Sequence, residues 1–519
     1  MKQQRKKQMI VMGLCFGLAA SCISGCGQSI DTTERTVQTE AEKTRTEDGQ
    51  TGKDYLEGVT LTCGEALDYD FADVSVHDPS IMKAGDRYYI FGSHLAAASS
   101  TDLVHWELID SGVCPDNVII PDAASEMSEA FTWAQTDTFW APDVIQLADG
   151  RYYMYYCNCQ GTSPLSALGI AVADQPEGPY KDLGVILKSG QSPEEPDENG
   201  DIYDSTVEPN VVDPCVFFDK DRKLWMVYGS YSGGIYILEM DPETGFPLET
   251  GYGKKLLGGS HLRIEAPYII YSPETDYYYL FLSFGGLASD GGYNIRVCRS
   301  RTPDGPYYDS EGQNMEGCKG PQGSAFDDSA AAKYGVKLMG NFSFEYTEGE
   351  FGQYRAGYVS PGHNSAIRDD ETGEYFLVFH TRFEGKDEQH QVRVHQMYLN
   401  EDGWFVVSPY RYTGEPAESA SEDMIPGPYK IINHLHNITA NIQKSDDIIL
   451  NEDHSITGAF EGTWEMKEGG QAVLVLGGVE YRGFFRKQWD QYGFKNVITF
   501  TALSDKGYAI WGSGYEAEP

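Results

Sequence analysis

Apolar and polar positions alternate in short runs along most of the chain, and five of these runs share one layout. They begin HDPSIMKAGDRYYIF (77–91), FWAPDVIQLADGRYYMYY (139–156), VVDPCVFFDKDRKLWMVYG (211–229), RIEAPYIIYSPETDYYYLFL (263–282) and PGHNSAIRDDETGEYFLVF (361–379). Each opens on a polar or acidic residue. A short apolar strand follows, then a turn rich in Asp, Gly, Lys or Thr, then an aromatic strand. Two strands joined by such a turn predict a hairpin. The aromatic strands are expected to begin near Tyr88, Tyr152, Trp225, Tyr277 and Tyr375. More strand-like segments follow each hairpin, such as GIYILEM (234–240) and QVRVHQMYLNEDGWFVVSP (391–409). Helical periodicity is scarce outside the N-terminus, so the chain reads as all-β. A unit recurring every few tens of residues implies a stacked or radial architecture. With roughly four strands per blade as the norm, five blades of a β-propeller fit residues 70–410, within a domain spanning 55–412.

The repeat stops after Pro409. Residues 413–519 contain alternating segments such as QAVLVLG, YRGFFRKQW and NVITFTALS, which predict a small antiparallel, barrel-like β domain. Longer insertions at 114–138, 188–208 and 310–350 are acidic and rich in Gly, Ser and Pro. Loops of that length are uncommon unless functional, so they are expected on the axial face, shaping a cleft.

The N-terminus is patterned differently. Lys2, Arg5, Lys6 and Lys7 precede an apolar run, Met9 to Ala20, too short to span a bilayer. ISGC (23–26) resembles a bacterial lipobox, so residues 1–25 are expected to leave as a signal peptide, with Cys26 carrying lipid. Residues 26–54 are rich in Thr, Glu and Gln and read as a disordered tether. Its reach as a coil is roughly 30 Å. The expectation is a cell-surface lipoprotein that touches the membrane only through Cys26.

Composition narrows the partners. The net charge of −40 argues against nucleic acid and against acidic polymers, whereas a neutral polysaccharide meets no such penalty. Beyond the leader and Cys26, Cys63, Cys114, Cys157, Cys159, Cys215, Cys298 and Cys318 are odd in number and irregularly spaced. They form no disulfide framework or metal knuckle and are expected mostly as buried free thiols.

The chemistry lies where the five copies differ. Asp78 in HDPSI, Asp213 in VVDPCVF and Glu265 in RIEAPYI stand at matching places near the start of a first strand. First strands line a propeller's axis, so these acids are expected to meet at one end of it. An Asp-Pro pair alone is ordinary turn chemistry; three acids in register are not. Glycosidic cleavage uses one carboxylic acid to protonate the leaving oxygen and one carboxylate to activate water or attack. A neighbouring carboxylate keeps the acid protonated by repulsion.

In that order, the HDPSI, FWAPDV, VVDP and IEAPYI segments resemble glycoside hydrolase family 43, and within it the two-domain endo-1,5-α-L-arabinanases. The resemblance implies a monomeric, inverting hydrolase of arabinan, with Asp78 as general base, Glu265 as general acid, and Asp213 raising and orienting the acid. It further implies sugar contacts from His77, Trp140, Asn210 and Ser230, and an axial calcium ion bound by His363. Exo-arabinofuranosidase and β-xylosidase action within the family remain open at this point, because cleft loops decide them. A non-catalytic, carbohydrate-binding propeller explains the repeats but not three unequal acids in register. Fructan-cleaving propellers resemble an Asn-Asp-Pro-Asn-Gly start and an Arg-Asp-Pro middle motif; here the start is HDPSI and Val212 precedes Asp213.

Overall fold

The computed structural model describes residues 60–61, 69–190, 202–347, 350, 357–515 and 517–518. The predicted signal peptide, the lipid site at Cys26, the tether and Cys63 lie outside the described residues. The described residues all fall within one compact unit, Tyr55–Pro519.

Each predicted hairpin begins an antiparallel sheet whose strands lie side by side in chain order. Blade 1 is Ser80–Ala84, Arg87–Gly92, Ala96–Ser100 and Glu107–Asp110. Blade 2 is Asp143–Gln146, Tyr152–Cys159, Ser166–Ala173 and Lys181–Ser189. Blade 3 is Cys215–Phe218, Leu224–Tyr228, Ile235–Met240 and Lys254–Leu257. Blade 4 is Ile264–Ser272, Tyr277–Phe284, Asn294–Ser300 and Val336–Met339. Blade 5 is Tyr358–Arg368, Tyr375–Phe383, His390–Leu399 and Phe405–Val407. The five first strands pack on one another in a closed ring, blade 5 returning to blade 1. That arrangement is a five-bladed propeller.

The aromatic second strands explain the tyrosine content. Their rings fill the spaces between blades while the hydroxyls find partners. Tyr155, for example, donates to the Gly245 carbonyl at 2.7 Å. Blades 1 and 5 are joined by side chains. Ser365 Oγ donates to the Pro79 carbonyl at 2.7 Å, Lys83 and Tyr88 both reach Asp369, and Ile81 and Ile90 share a core with Phe376 and Val378.

Two of the insertions differ from expectation. Residues 114–138 contain short helices, Ala123–Glu126 and Ser128–Ala134, with Ala130, Phe131 and Ala134 buried. Residues 310–350 are not one loop. Val336–Met339 supplies the fourth strand of blade 4, and Phe342–Ser343 pairs with the first strand of blade 5. A four-residue strand so far from its sheet neighbour in sequence has no hairpin turn to announce it.

In the C-terminal domain Gly427–Asn433, Asp446–Leu450, Ser455–Gly458, Gly462–Lys467, Gln471–Leu476, Val479–Asp490, Lys495–Ser504 and Ala509–Gly514 close into an antiparallel barrel. Its core is filled by side chains such as Tyr429, Trp464, Phe485 and Phe500. One face shares a core with blades 4 and 5: Ile432, Leu503 and Trp511 pack with Leu338, Phe342 and Tyr358. Gln443–Lys444 also extends the blade 5 sheet by pairing in parallel with Phe342–Ser343. Thr60–Leu61 pairs with Ala517–Glu518, bringing the two ends of this unit together.

Candidate active site

Four first strands break their regularity at the same level. Asp78, Asp213, Ala266 and His363 have φ of 58°, 55°, 53° and 46°, a region that non-glycine residues rarely occupy. Pairing register shifts between Glu265 and Tyr268, and on both sides of Gly362. Repeated strain at one structural position is the kind that functional sites hold. The breaks bring Asp78, Asp213, Ala266, His363 and Asn364 around an axial cavity of about 20 Å³, room for one water molecule.

Asp78 is buried and heavily bonded. Its Oδ2 accepts from Ser93 Oγ at 2.5 Å and lies 2.7 Å from His77 Nδ1. Its Oδ1 lies 3.0 Å from His363 Nδ1, and its backbone N–H donates to His380 Nδ1 at 3.2 Å. Burial opposes ionisation, but His363 and His77 outweigh it and hold the carboxyl well below its usual range. Gly92 permits the His77 approach, since a Cβ there would lie 2.1 Å from the His77 carbonyl oxygen.

Asp213 and Glu265 are pushed the other way. Burial lifts Asp213 to about 7, against His363, with Glu265 and Asp78 adding to the rise. Its Oδ2 accepts from the Ala266 N–H at 3.2 Å, tying it to the residue after Glu265. Glu265 is likewise raised by burial, opposed by His363, Ser230 and Tyr293. Ser230 Oγ donates to its Oε2 at 2.8 Å. Oε1 is buried without a hydrogen-bond partner, and so is the Tyr293 hydroxyl. Tyr293 is close enough to draw the Glu265 pKa down but makes no hydrogen bond of proper geometry. Tyr293 in turn needs Gly362, where a Cβ would meet its ring at 2.0 Å.

The other sequence candidates are distributed as follows. His77 is half-buried beside Asp78, stacked on His380 with ring centroids 4.2 Å apart. Ser230 is committed to Glu265. Asn210 faces inward: its Oδ1 accepts from Ser166 Oγ at 2.5 Å and its Nδ2 lies 3.8 Å from Cys159 Sγ. Those bonds anchor the strand start that carries Asp213. Trp140 is half-buried on the core shared by blades 2 and 3, and its backbone N–H donates to the Cys157 carbonyl at 2.9 Å.

His363 tests the expectation of calcium. Burial would lower its pKa, yet Asp78, Asp213 and Glu265 raise it to about 9. Three buried carboxylates therefore favour a positive charge here, which a protonated imidazole itself supplies; to ligate a cation His363 would have to give up that proton. Calcium prefers oxygen ligands, so an imidazole such as His363 would at most be one donor to such an ion. Among the described residues, the grouping whose ligand atoms all lie within 4.8 Å is His77, Asp78 and His380, without His363.

Sequence reasoning missed Ser93, Tyr293 and His380: Ser93 follows the second strand of blade 1, Tyr293 immediately precedes the third strand of blade 4, and His380 lies in the second strand of blade 5. It also missed Asp143 of FWAPDV. Asp143 is buried, is lifted by burial to about 6, and joins three blades: Ser80 Oγ donates to its Oδ1 and the Val216 N–H donates to its Oδ2 at 2.6 Å. Its alignment one residue after Pro142 was the available signal. Among the described residues the six cysteines are unpaired, and all but Cys114 are buried.

Comparison with known proteins is consistent with this geometry. The family described as Glycosyl hydrolases family 43 matches residues 71–329, and a C-terminal lipocalin-like domain matches residues 409–512. An extracellular endo-α-(1→5)-L-arabinanase of Bacillus subtilis (strain 168) is 56% identical over 444 residues, 85% of this chain and 93% of that protein. The crystal structure of a family 43 glycoside hydrolase from Bacillus licheniformis is 55% identical with a TM-score of 0.83, covering 86% of this chain and 99% of that one. An endo-1,5-α-L-arabinanase from Thermotoga petrophila RKU-1 is 53% identical with a TM-score of 0.82, covering 86% and 100%.

Proposed function

The chain belongs to glycosyl hydrolase family 43, and from that premise we propose that it is an extracellular endo-arabinanase, hydrolysing internal α-1,5-L-arabinofuranosidic bonds of arabinan with inversion. The observation that carries the reading is the meeting of three buried carboxylates with different partners: Asp78 with His77, His363 and Ser93, Asp213 with the Ala266 N–H, and Glu265 with Ser230. Acid and base roles follow from environments that push pKa values apart.

In this mechanism Asp78 is the general base. The His77, His363 and Ser93 contacts fix its orientation and keep it charged, so it can take a proton from the attacking water. Glu265 is the general acid. Ser230 occupies Oε2, which leaves Oε1 to carry the proton to the leaving oxygen. Asp213 acts through Glu265: its proximity disfavours a second negative charge, and the Ala266 N–H holds it in place. A calcium ion, if held at His363, would supply a positive charge beside these carboxylates. We further read Cys26 as a lipid anchor, which would keep the catalytic unit at the cell surface.

Incubation with linear arabinan, xylan and fructan, followed by product sizing, tests the substrate and the mode of cleavage. Arabino-oligosaccharides of mixed length are expected. Arabinose alone would make the enzyme exo-acting, and no cleavage would return the chain to a binding role. Proton NMR of the first product should show the inverted anomer.

A further inference from the structure

Phe326 lies in the insertion before the fourth strand of blade 4. It is 53% exposed and has a φ of 57°. An exposed phenylalanine by itself is ordinary, but a bulky residue in the left-handed region must be held there by its surroundings. A lattice of backbone bonds does so. The Phe326 N–H donates to the His261 carbonyl at 3.1 Å, the His261 N–H to Ser232 at 2.9 Å, and the Tyr231 N–H to Ile264 at 2.9 Å. Arg263 grips Asp328 with two hydrogen bonds, Nε to Oδ1 at 2.9 Å. The Phe326 ring meets Tyr231 edge-on, with centroids 6.1 Å apart. Tyr231 in turn donates to the Gly285 carbonyl at 3.2 Å. This lattice ends on the immediate chain neighbours of Glu265 and of its partner Ser230.

We propose that Phe326, backed by Tyr231, is the platform for the arabinosyl residue on the leaving-group side of the scissile bond. The inference rests on the reading of Glu265 as the acid. The acid protonates the leaving oxygen, so the sugar attached to that oxygen lies on the Glu265 side of the cleft. A furanose presents apolar C–H groups and no charge. A rigidly held, half-exposed aromatic ring matches that chemistry and loses little conformational freedom on binding.

The test separates binding from turnover. In a Glu265→Gln background, calorimetry with a linear arabino-oligosaccharide should show Kd rising about tenfold on adding Phe326→Ala, the loss expected when one ring's apolar contact is removed. Phe326→Trp in the same background should bind within about twofold of the parent, because the apolar surface is retained. An unchanged Kd for Phe326→Ala, an equal loss in Phe326→Trp, or no binding by the parent would each overturn the platform. Melting temperatures of all variants should match the parent, since the ring is half in solvent. Failure of the arabinanase reading itself is visible separately, as a wild-type protein that leaves arabinan uncut.

Discussion

Glu265 and Asp213 show how two similar side chains acquire different work from what surrounds them. Glu265→Gln keeps the Ser230 contact but removes the transferable proton, so kcat on arabinan should fall by about 10²–10⁴-fold while oligosaccharide binding persists. If that variant retained wild-type turnover, Glu265 would not be the acid. Asp213 carries a stability prediction with a definite sign. Its folded pKa is raised from 3.8 to about 7, so the unfolded chain gives up this proton more readily than the folded one. The site's contribution is therefore fully present below about pH 4 and is lost as pH rises toward 7. Asp213→Asn cannot ionise, so the melting temperature of the variant minus that of wild type should grow across that window; a difference that shrinks would refute it. The same substitution removes a carboxylate beside Glu265, so any residual activity should lose its alkaline limb at lower pH than wild type. Asp78 and Asp213 were legible in the sequence because they occupy one register of a repeat, the residue before a proline; Glu265 was legible beside that register, one residue before Ala266, which holds the matching place. His380 and Tyr293 were not, because they come from a second strand and from the residue before a third, at no fixed spacing from the acids. Asn210 shows the limit of proximity in sequence: three residues before Asp213, it turns to Ser166 and Cys159 instead of the cleft.

Single elements show why glycine and the kinked strand starts recur at this site. Gly92 and Gly362 each let a functional ring or carbonyl come closer than any Cβ would allow. Gly362→Ala should therefore displace Tyr293 and cost about 1–3 kcal/mol, the usual penalty for overpacking. Thermal denaturation measures that cost, and an unaltered melting temperature would mean the ring moves aside freely. Asp143 belongs at this scale too, because it joins blades 1, 2 and 3 through Ser80 and Val216. The five hairpins were readable from alternating runs and turn residues. The Val336–Met339 strand was not, since its pairing partner, Asn294–Ser300, lies across an insertion. The pairing is settled by burial of Val336, Leu338 and Met339 in the core shared with the barrel.

At the scale of the whole molecule the ring must close without a covalent link between blades 1 and 5. Lys83 and Tyr88 meet Asp369 there, so Asp369→Ala should lower the melting temperature and leave the pH profile of turnover unshifted. A shifted profile would mean the closure also tunes the axial acids. The anchor is tested by cell fractionation: Cys26→Ser should move the protein from the membrane fraction to the soluble extracellular fraction, and unchanged membrane retention would refute lipidation at that residue. The sequence by itself determined the strand count of the hairpins, the change of architecture after Pro409 and the three acids, because strand period, turn chemistry and register are local and repeat along the chain. Only the tertiary structure decided which acid is held charged, that His77, His363 and Ser93 share Asp78, that Asn210 is an anchor, and that an exposed phenylalanine packs against Tyr231. Those outcomes depend on burial and on distances between strands from different blades, and neither quantity exists until the ring has closed.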